Sequence, residues 1–167
     1  MPLCPRRVAV VTSSTGAAVR DILKVLERSP YPLEITILPV RVQGQGAAEE
    51  IAGAIRKAGE LRNEFGWDVL LVGRGGGSIE DLWAFNEEAA ARALASCPIP
   101  TISAVGHEID YTISDFVADL RVPTPTAGAQ WVLRRMEEFQ RELAHGTDRM
   151  VEVLRRKIEG SRQAVEM

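Results

Sequence analysis

The sequence predicts an α/β fold: a mainly parallel sheet of four or more strands with helices on both faces, followed by a long helix. Three observations carry this. Short apolar, β-branched runs recur along the first two thirds of the chain, each too short for a helix and suited to a buried strand. Most are followed by a glycine- or hydroxyl-rich loop and then by apolar residues at helical spacing, the alternation that builds parallel sheets. From Ala127 onward the strands stop, and apolar residues recur every three or four positions among many charges.

Taken in order, Arg7 to Thr12 (RVAVVT) reads as the first buried strand, bounded by Pro5 and by the polar turn Ser13-Ser14-Thr15-Gly16. Ala17, Ala18, Ile22, Leu23, Val25 and Leu26 predict a helix that Ser29-Pro30 stops. Leu33 to Val40 is the second strand, Val42 to Gly46 a loop, and Ala47 to Glu64 an amphipathic helix with Ile51, Ile55 and Leu61 on one stripe. The third strand lies at Val69 to Val72, and Ile79 to Ser96 is predicted to be its helix. Thr101 to Val105 is a fourth strand, Thr112 to Val117 a short helix, and Val122 to Thr126 a proline-rich turn. The final helix is expected to loosen at His145-Gly146-Thr147, and its apolar stripe needs a partner chain or another helix. Residues 1–126 are therefore expected to form an α/β catalytic domain, and 127–167 the start of a long coiled-coil-like helix. That helix reaches Met167 without a stop signal, which predicts a piece of a longer protein.

Composition narrows the function classes. Hydrophobic residues at 46% and charged residues at 26% describe an ordinary soluble globular protein. A net charge of −3 argues against a general polyanion-coating surface and leaves room for a local basic groove. Cys4 and Cys97 are isolated and suggest no disulfide framework, which fits a reducing cytoplasm. No signal-peptide stretch or run of about 18 apolar residues appears, so no membrane association is expected.

Ligands of parallel sheets bind at the carboxyl ends of the strands, where Ser13 to Gly16, Gly44 to Gly46, Gly73 to Ser78 and Gly106 to Asp110 all fall. In the third of these, Arg74 sits among Gly73, Gly75, Gly76 and Gly77, and Ser78 with Asp81 makes a capping-box-like helix start. A strand, a glycine loop and a helix N-terminus suit an anion, and a guanidinium can hold two phosphate oxygens at once. The glycine spacing is neither that of a Walker loop nor that of a dinucleotide fingerprint. A plain strand-to-helix turn would need fewer glycines and no arginine.

His107 has Asp110 three residues on, close enough to fix its tautomer for general acid or base work. The plainer alternative is a loop histidine with an incidental neighbour. Asp21 reads locally as a solvated helix charge near Lys24. Glu80 and Asp81 read as acids favoured by a helix N-terminus, and Asp115 and Asp119 as surface residues. Asp21, Glu80, Asp81, Asp110 and Asp115 together could hold magnesium, but no HxH, HExxH or DxD cluster makes that specific, and a metal is left open. Trp83 and Phe85 could stack on a base, although aromatic residues in a helix are more often core.

Four long segments carry a resemblance. Val10 to Leu23 (VVTSSTGAAVRDIL), Leu38 to Ile55 (LPVRVQGQGAAEEIAGAI), Asp68 to Glu88 (DVLLVGRGGGSIEDLWAFNEE) and Pro100 to Ala129 (PTISAVGHEIDYTISDFVADLRVPTPTAGA) resemble the catalytic domain of the exodeoxyribonuclease VII large subunit. The match runs from about Arg6 to Ala129, in order and nearly without gaps. It implies a bacterial enzyme that hydrolyses phosphodiester bonds of single-stranded DNA to short 5′-phosphorylated oligonucleotides. Residue by residue, the family's active-site positions fall on Asp21, Arg74, His107 and Asp110. Arg74 and the loop amides would hold the scissile phosphate, His107 oriented by Asp110 would handle the proton, and Asp21 would orient water, the histidine or a metal. Family large subunits also carry an N-terminal OB-fold and a long coiled coil that collects small subunits. By this resemblance the chain is expected to be without the first and to hold only the beginning of the second, and weak cleavage is expected of it; a homodimer through the long helix is a separate expectation. A non-catalytic phosphate or nucleotide-sugar binding module is the alternative the residues leave open.

Overall fold

The computed structural model describes residues 1–76, 79–106 and 110–165. Five strands form one wholly parallel sheet: β1 (Arg7–Thr12), β2 (Glu34–Pro39), β3 (Val69–Gly73), β4 (Thr101–Ala104) and β5 (Leu120–Arg121). Their spatial order is β2-β1-β3-β4-β5. The chain works outward in one direction from β1 and then crosses back to β3, so the order reverses between β1 and β3. Loops leaving those two carboxyl ends diverge to opposite faces and open a crevice there.

Strand alternation feeds two cores. Ala9, Val11, Leu70 and Val72 point to one face, under α2 (Ala47–Phe65) and α3 (Glu88–Ala95). Val8, Val10, Val69, Leu71 and Ile102 point to the other, under α1 (Ala17–Leu26) and the start of α5 (Pro125–Val165). Burial on both faces explains why β3 reads as an unbroken apolar run. Ala129, Val132 and Met136 of α5 are buried against the sheet, while Leu143, Met150, Leu154 and Ile158 further along are exposed. At the amino edge, Asp68 Oδ2 accepts the backbone N–H groups of Arg6 and Arg7 at 2.7 and 2.9 Å and tethers β1 to β3. Cys4 and Cys97 are free thiols, and burial pushes the Cys97 thiol up from its ordinary value.

The structure departs from the expected elements in four places. The helix expected over Ile79 to Ser96 is a 3₁₀ segment, Ile79–Phe85, followed by α3. The break falls at Asn86, whose side chain accepts the Ile113 N–H at 2.8 Å, while the Phe85 carbonyl accepts Ser114 Oγ–H at 2.7 Å. These groups serve α4 (Ile113–Val117) instead of continuing a helix. The two-residue β5 has no periodicity to read and was not anticipated. The expected turn at Val122 to Thr126 ends in the first residue of α5: Pro125 sits at the helix start, and Thr124 Oγ1 accepts the Ala127 N–H at 3.0 Å. Helix α5 also runs unbroken through His145-Gly146-Thr147, with Thr147 Oγ1 donating back to the Leu143 carbonyl at 2.9 Å. One interior glycine costs only about 1 kcal/mol, too little to open a helix already in register on both sides.

Candidate active site

Among the described residues, buried polar atoms without a hydrogen-bond partner gather at the crevice between β1 and β3, at Thr12 and Arg74. Arg74 leaves the end of β3 and is only 5% exposed. Its Nη2 donates to Gln43 Oε1 at 3.1 Å and to the Gly76 carbonyl at 3.2 Å, with Asp81 Oδ2 at 3.7 Å. Its Nε and Nη1 are buried with no hydrogen-bond partner among the described residues. A guanidinium has five N–H donors and no acceptor, so three of them are left over. Burying such donors without an acceptor costs about 1–3 kcal/mol per group, which makes the position poor as structure and good as a waiting anion site.

Arg74 lines a cavity of about 200 Å³ with Gly75, Gly76, Val105 and the segment Pro123 to Thr126. The opposite wall is the first turns of α1: Ala17, Ala18 and Asp21. Asp21 is exposed and sits four residues beyond the start of α1, so the helix carries its carboxylate back to the crevice. The cavity thus combines one buried cation with one solvated carboxylate.

A model of the exonuclease VII large subunit matches residues 1–167. The chain belongs to the exonuclease VII large-subunit family. It is similar to the exodeoxyribonuclease 7 large subunit of Geotalea daltonii, at 57% identity over 86% of this chain and 32% of that protein. The corresponding protein of Geobacter sulfurreducens is 56% identical over 91% of this chain and 33% of its own length. That of Alkaliphilus metalliredigens is 52% identical over 97% and 39%. The chain therefore spans about a third of the length of the curated relatives it matches. Among solved structures, UDP-GlcNAc 2-epimerase from Methanocaldococcus jannaschii is 13% identical over 77% of this chain and 42% of that one, with a TM-score of 0.41. At that score the likeness bears on neither fold nor function.

Within this exonuclease VII family chain, the structure brings Asp21, Arg74, Gly75 and Gly76 to one cavity. Gly73 is not part of its wall. It closes β3, and a Cβ there would lie 2.9 Å from the Ala104 carbonyl oxygen, so its lack of a side chain serves the strand pairing. His107, Gly77, Ser78 and the Glu80 side chain lie outside the described residues. Asp110 is half-buried and does not line the cavity. A Cβ at Gly106 would come within 1.9 Å of the Asp110 carbonyl oxygen, so that position has room for glycine alone.

Asp115 corrects the reading of it as a surface acid. It is 6% exposed and accepts Ser103 Oγ–H at 2.5 Å, and Thr112 N–H and Oγ1–H each at 2.9 Å, as the acid of a capping box on α4. Asp119 stays exposed but is bound to Thr101 N–H and Oγ1–H at 2.7 and 3.0 Å. With these acids committed, no group of three or more His, Cys, Asp or Glu able to hold a metal forms among the described residues. The aromatic pair divides: Phe85 is fully buried, and Trp83 is 66% exposed. Local sequence singled out neither Gln43 nor the Thr124 to Thr126 wall. No helix among the described residues is long and apolar enough to cross a membrane.

Proposed function

We propose that this chain carries a nuclease centre that hydrolyses phosphodiester bonds of single-stranded DNA and releases short 5′-phosphorylated oligonucleotides. The observation that carries the reading is Arg74: buried, with unpartnered donors, in a cavity it shares with Asp21. A phosphodiester in that cavity would accept from Nε and Nη1, and these fixed donors would strengthen as charge builds on the phosphoryl oxygens in the transition state. Gly75 and Gly76, with Gly77 and Ser78, would add backbone donors to the same oxygens. His107, oriented by Asp110, activates water or protonates the leaving oxygen, and Asp21 orients that water or the imidazole.

In this reading residues 1–126 are the catalytic unit, and 127–167 begin a coiled-coil-like helix whose first turns seal the sheet. The exposed apolar residues beyond Met136 await a partner: small subunits of the same enzyme, or a second copy of this chain in a homodimer. The protein works in the cytoplasm, on DNA, away from membranes.

One gel tests this: single-stranded DNA with the wild type and with His107→Ala, each in EDTA and in magnesium. We expect weak shortening of the DNA by the wild type, 5′-phosphate on the products, and binding without cutting by His107→Ala. Phosphate binding by a wild type that cuts under neither condition would replace the nuclease with a non-catalytic phosphate or nucleotide-sugar binding module.

A further inference from the structure

We propose that Gln43, in the loop between β2 and α2, is a positioning residue that aims the Arg74 guanidinium into the cavity. The inference rests on the reading of Arg74 as the phosphate-holding group. Of the contacts to Nη2, the one to the Gly76 carbonyl comes from the same loop, two residues on, and moves with Arg74. Asp81 at 3.7 Å is beyond hydrogen-bond reach. Gln43 Oε1, at 3.1 Å and 31 residues away in sequence, is the contact that reaches Arg74 from across the β1/β3 crevice. Its amide orientation follows from chemistry, because a guanidinium has no acceptor and the oxygen must face it.

The loop is built to hold that amide in place. Arg41 is clamped to Glu50 of α2 by two hydrogen bonds, N–H to Oε2 at 2.8 Å and Nε–H to Oε1 at 2.6 Å. Gly44 and Gly46 have φ of 84° and 78°, a left-handed backbone that L side chains rarely adopt, and Ala47 N–H closes the turn on the Gly44 carbonyl at 3.2 Å. Gln43 itself is exposed and anchors no core. A clamped loop that presents an exposed amide to a buried, half-satisfied arginine contributes little to folding. Its effect is to take up Nη2 and leave Nε and Nη1 for the phosphate, since a reacting group misplaced by even 1 Å can lose about 100-fold in rate.

The test uses Gln43→Leu, which removes the acceptor, and Gln43→Glu, which keeps it and adds a negative charge. For cleavage of single-stranded DNA, Gln43→Leu should lower kcat by about 10- to 100-fold with KM within about threefold. Gln43→Glu should hold kcat within about threefold and raise KM by about tenfold, because its charge repels the substrate phosphate. Both should melt within about 2 °C of the wild type, as exposed substitutions do. Independently of turnover, NMR of the Arg74 side chain should show separate Nη1 and Nη2 signals in the wild type and in Gln43→Glu. They should merge in Gln43→Leu as the guanidinium begins to rotate. Equal kcat for wild type and Gln43→Leu, equal kcat losses in the two variants, or unmerged signals in Gln43→Leu would overturn the proposal. A wild type that does not cut DNA sinks the nuclease reading instead, and the NMR comparison still decides whether Gln43 orients the arginine.

Discussion

Two buried charged side chains stand at the carboxyl edge of this sheet, beside neighbouring pairs of strands and opposite in their chemistry. Asp115, beside β4 and β5, is 6% exposed and receives three hydrogen bonds from Ser103 and Thr112. Arg74, beside β1 and β3, is 5% exposed and keeps two of its three nitrogens without a partner among the described residues. Each burial is costly, so each must be answered by something. Asp115 is answered within the fold, by the residues whose N–H and O–H groups it collects. Arg74 is answered only in part, at Nη2 by Gln43, the Gly76 carbonyl and the Asp81 carboxylate, and what would complete it at Nε and Nη1 is an anion. A satisfied buried charge is evidence of structure, and an unsatisfied one beside a cavity is evidence of a ligand.

Asp115→Ala would orphan Ser103 Oγ and both Thr112 donors in a buried site, at a cost of about 3 kcal/mol. In thermal unfolding that is a fall of roughly 6–12 °C in Tm for a chain of this size. A Tm within about 2 °C of the wild type would mean that the Asp115 knot is not what secures α4.

A smaller effect of opposite sign is expected at Thr12, the last residue of β1, which is fully buried. Its Oγ1 has no partner among the described residues. Thr12→Val replaces that hydroxyl by a methyl of the same shape and should stabilise by up to about 1 kcal/mol in a denaturant titration. A loss of stability would show that the hydroxyl is engaged after all, and the crevice would then be less unsatisfied than it looks.

The smallest effect concerns pH. The hydrogen bonds and charge of Arg41 hold the Glu50 carboxyl below its ordinary value. A carboxyl depressed by folding stabilises the protein above its unfolded value, and that contribution is lost as pH falls through the folded value. The clamp on the Gln43 loop should therefore be intact from neutral to mildly acidic pH and release only in stronger acid. Being exposed, it should also weaken with salt. Glu50→Gln should flatten the acid limb of a stability-against-pH curve and leave the neutral region unchanged.

Much of the fold was legible because its signals are local. β1 could be bounded to the residue, since Arg7 to Thr12 lies between a proline and a polar turn, and the parallel sheet followed from the alternation of strands and helices. What escaped notice depends on partners distant in sequence. Two-residue β5 exists through its pairing with β4, and the break at Asn86 exists because α4 needs that side chain. The acid of Thr112-x-x-Asp115 did have a local signal, a capping box, which its reading as a surface charge overlooked. For the site, the glycine loop with Arg74 stood out on its own residues. Asp21 looked like any helix acid, and only the family resemblance singled it out, because its place on the cavity depends on how α1 packs beside β3. Gln43 left no local trace, since its meaning lies in a contact across 31 residues.

The most direct measurement of the central claim is the rate of single-stranded DNA cleavage by Arg74→Met, taken together with its melting temperature. Methionine fills the volume without the charge, and replacing an incompletely paired buried charge by an apolar group is often neutral or stabilising. Cleavage should fall about 1,000-fold in a protein that melts at or above the wild-type temperature. Cleavage at the wild-type rate by a folded Arg74→Met protein would contradict the claim.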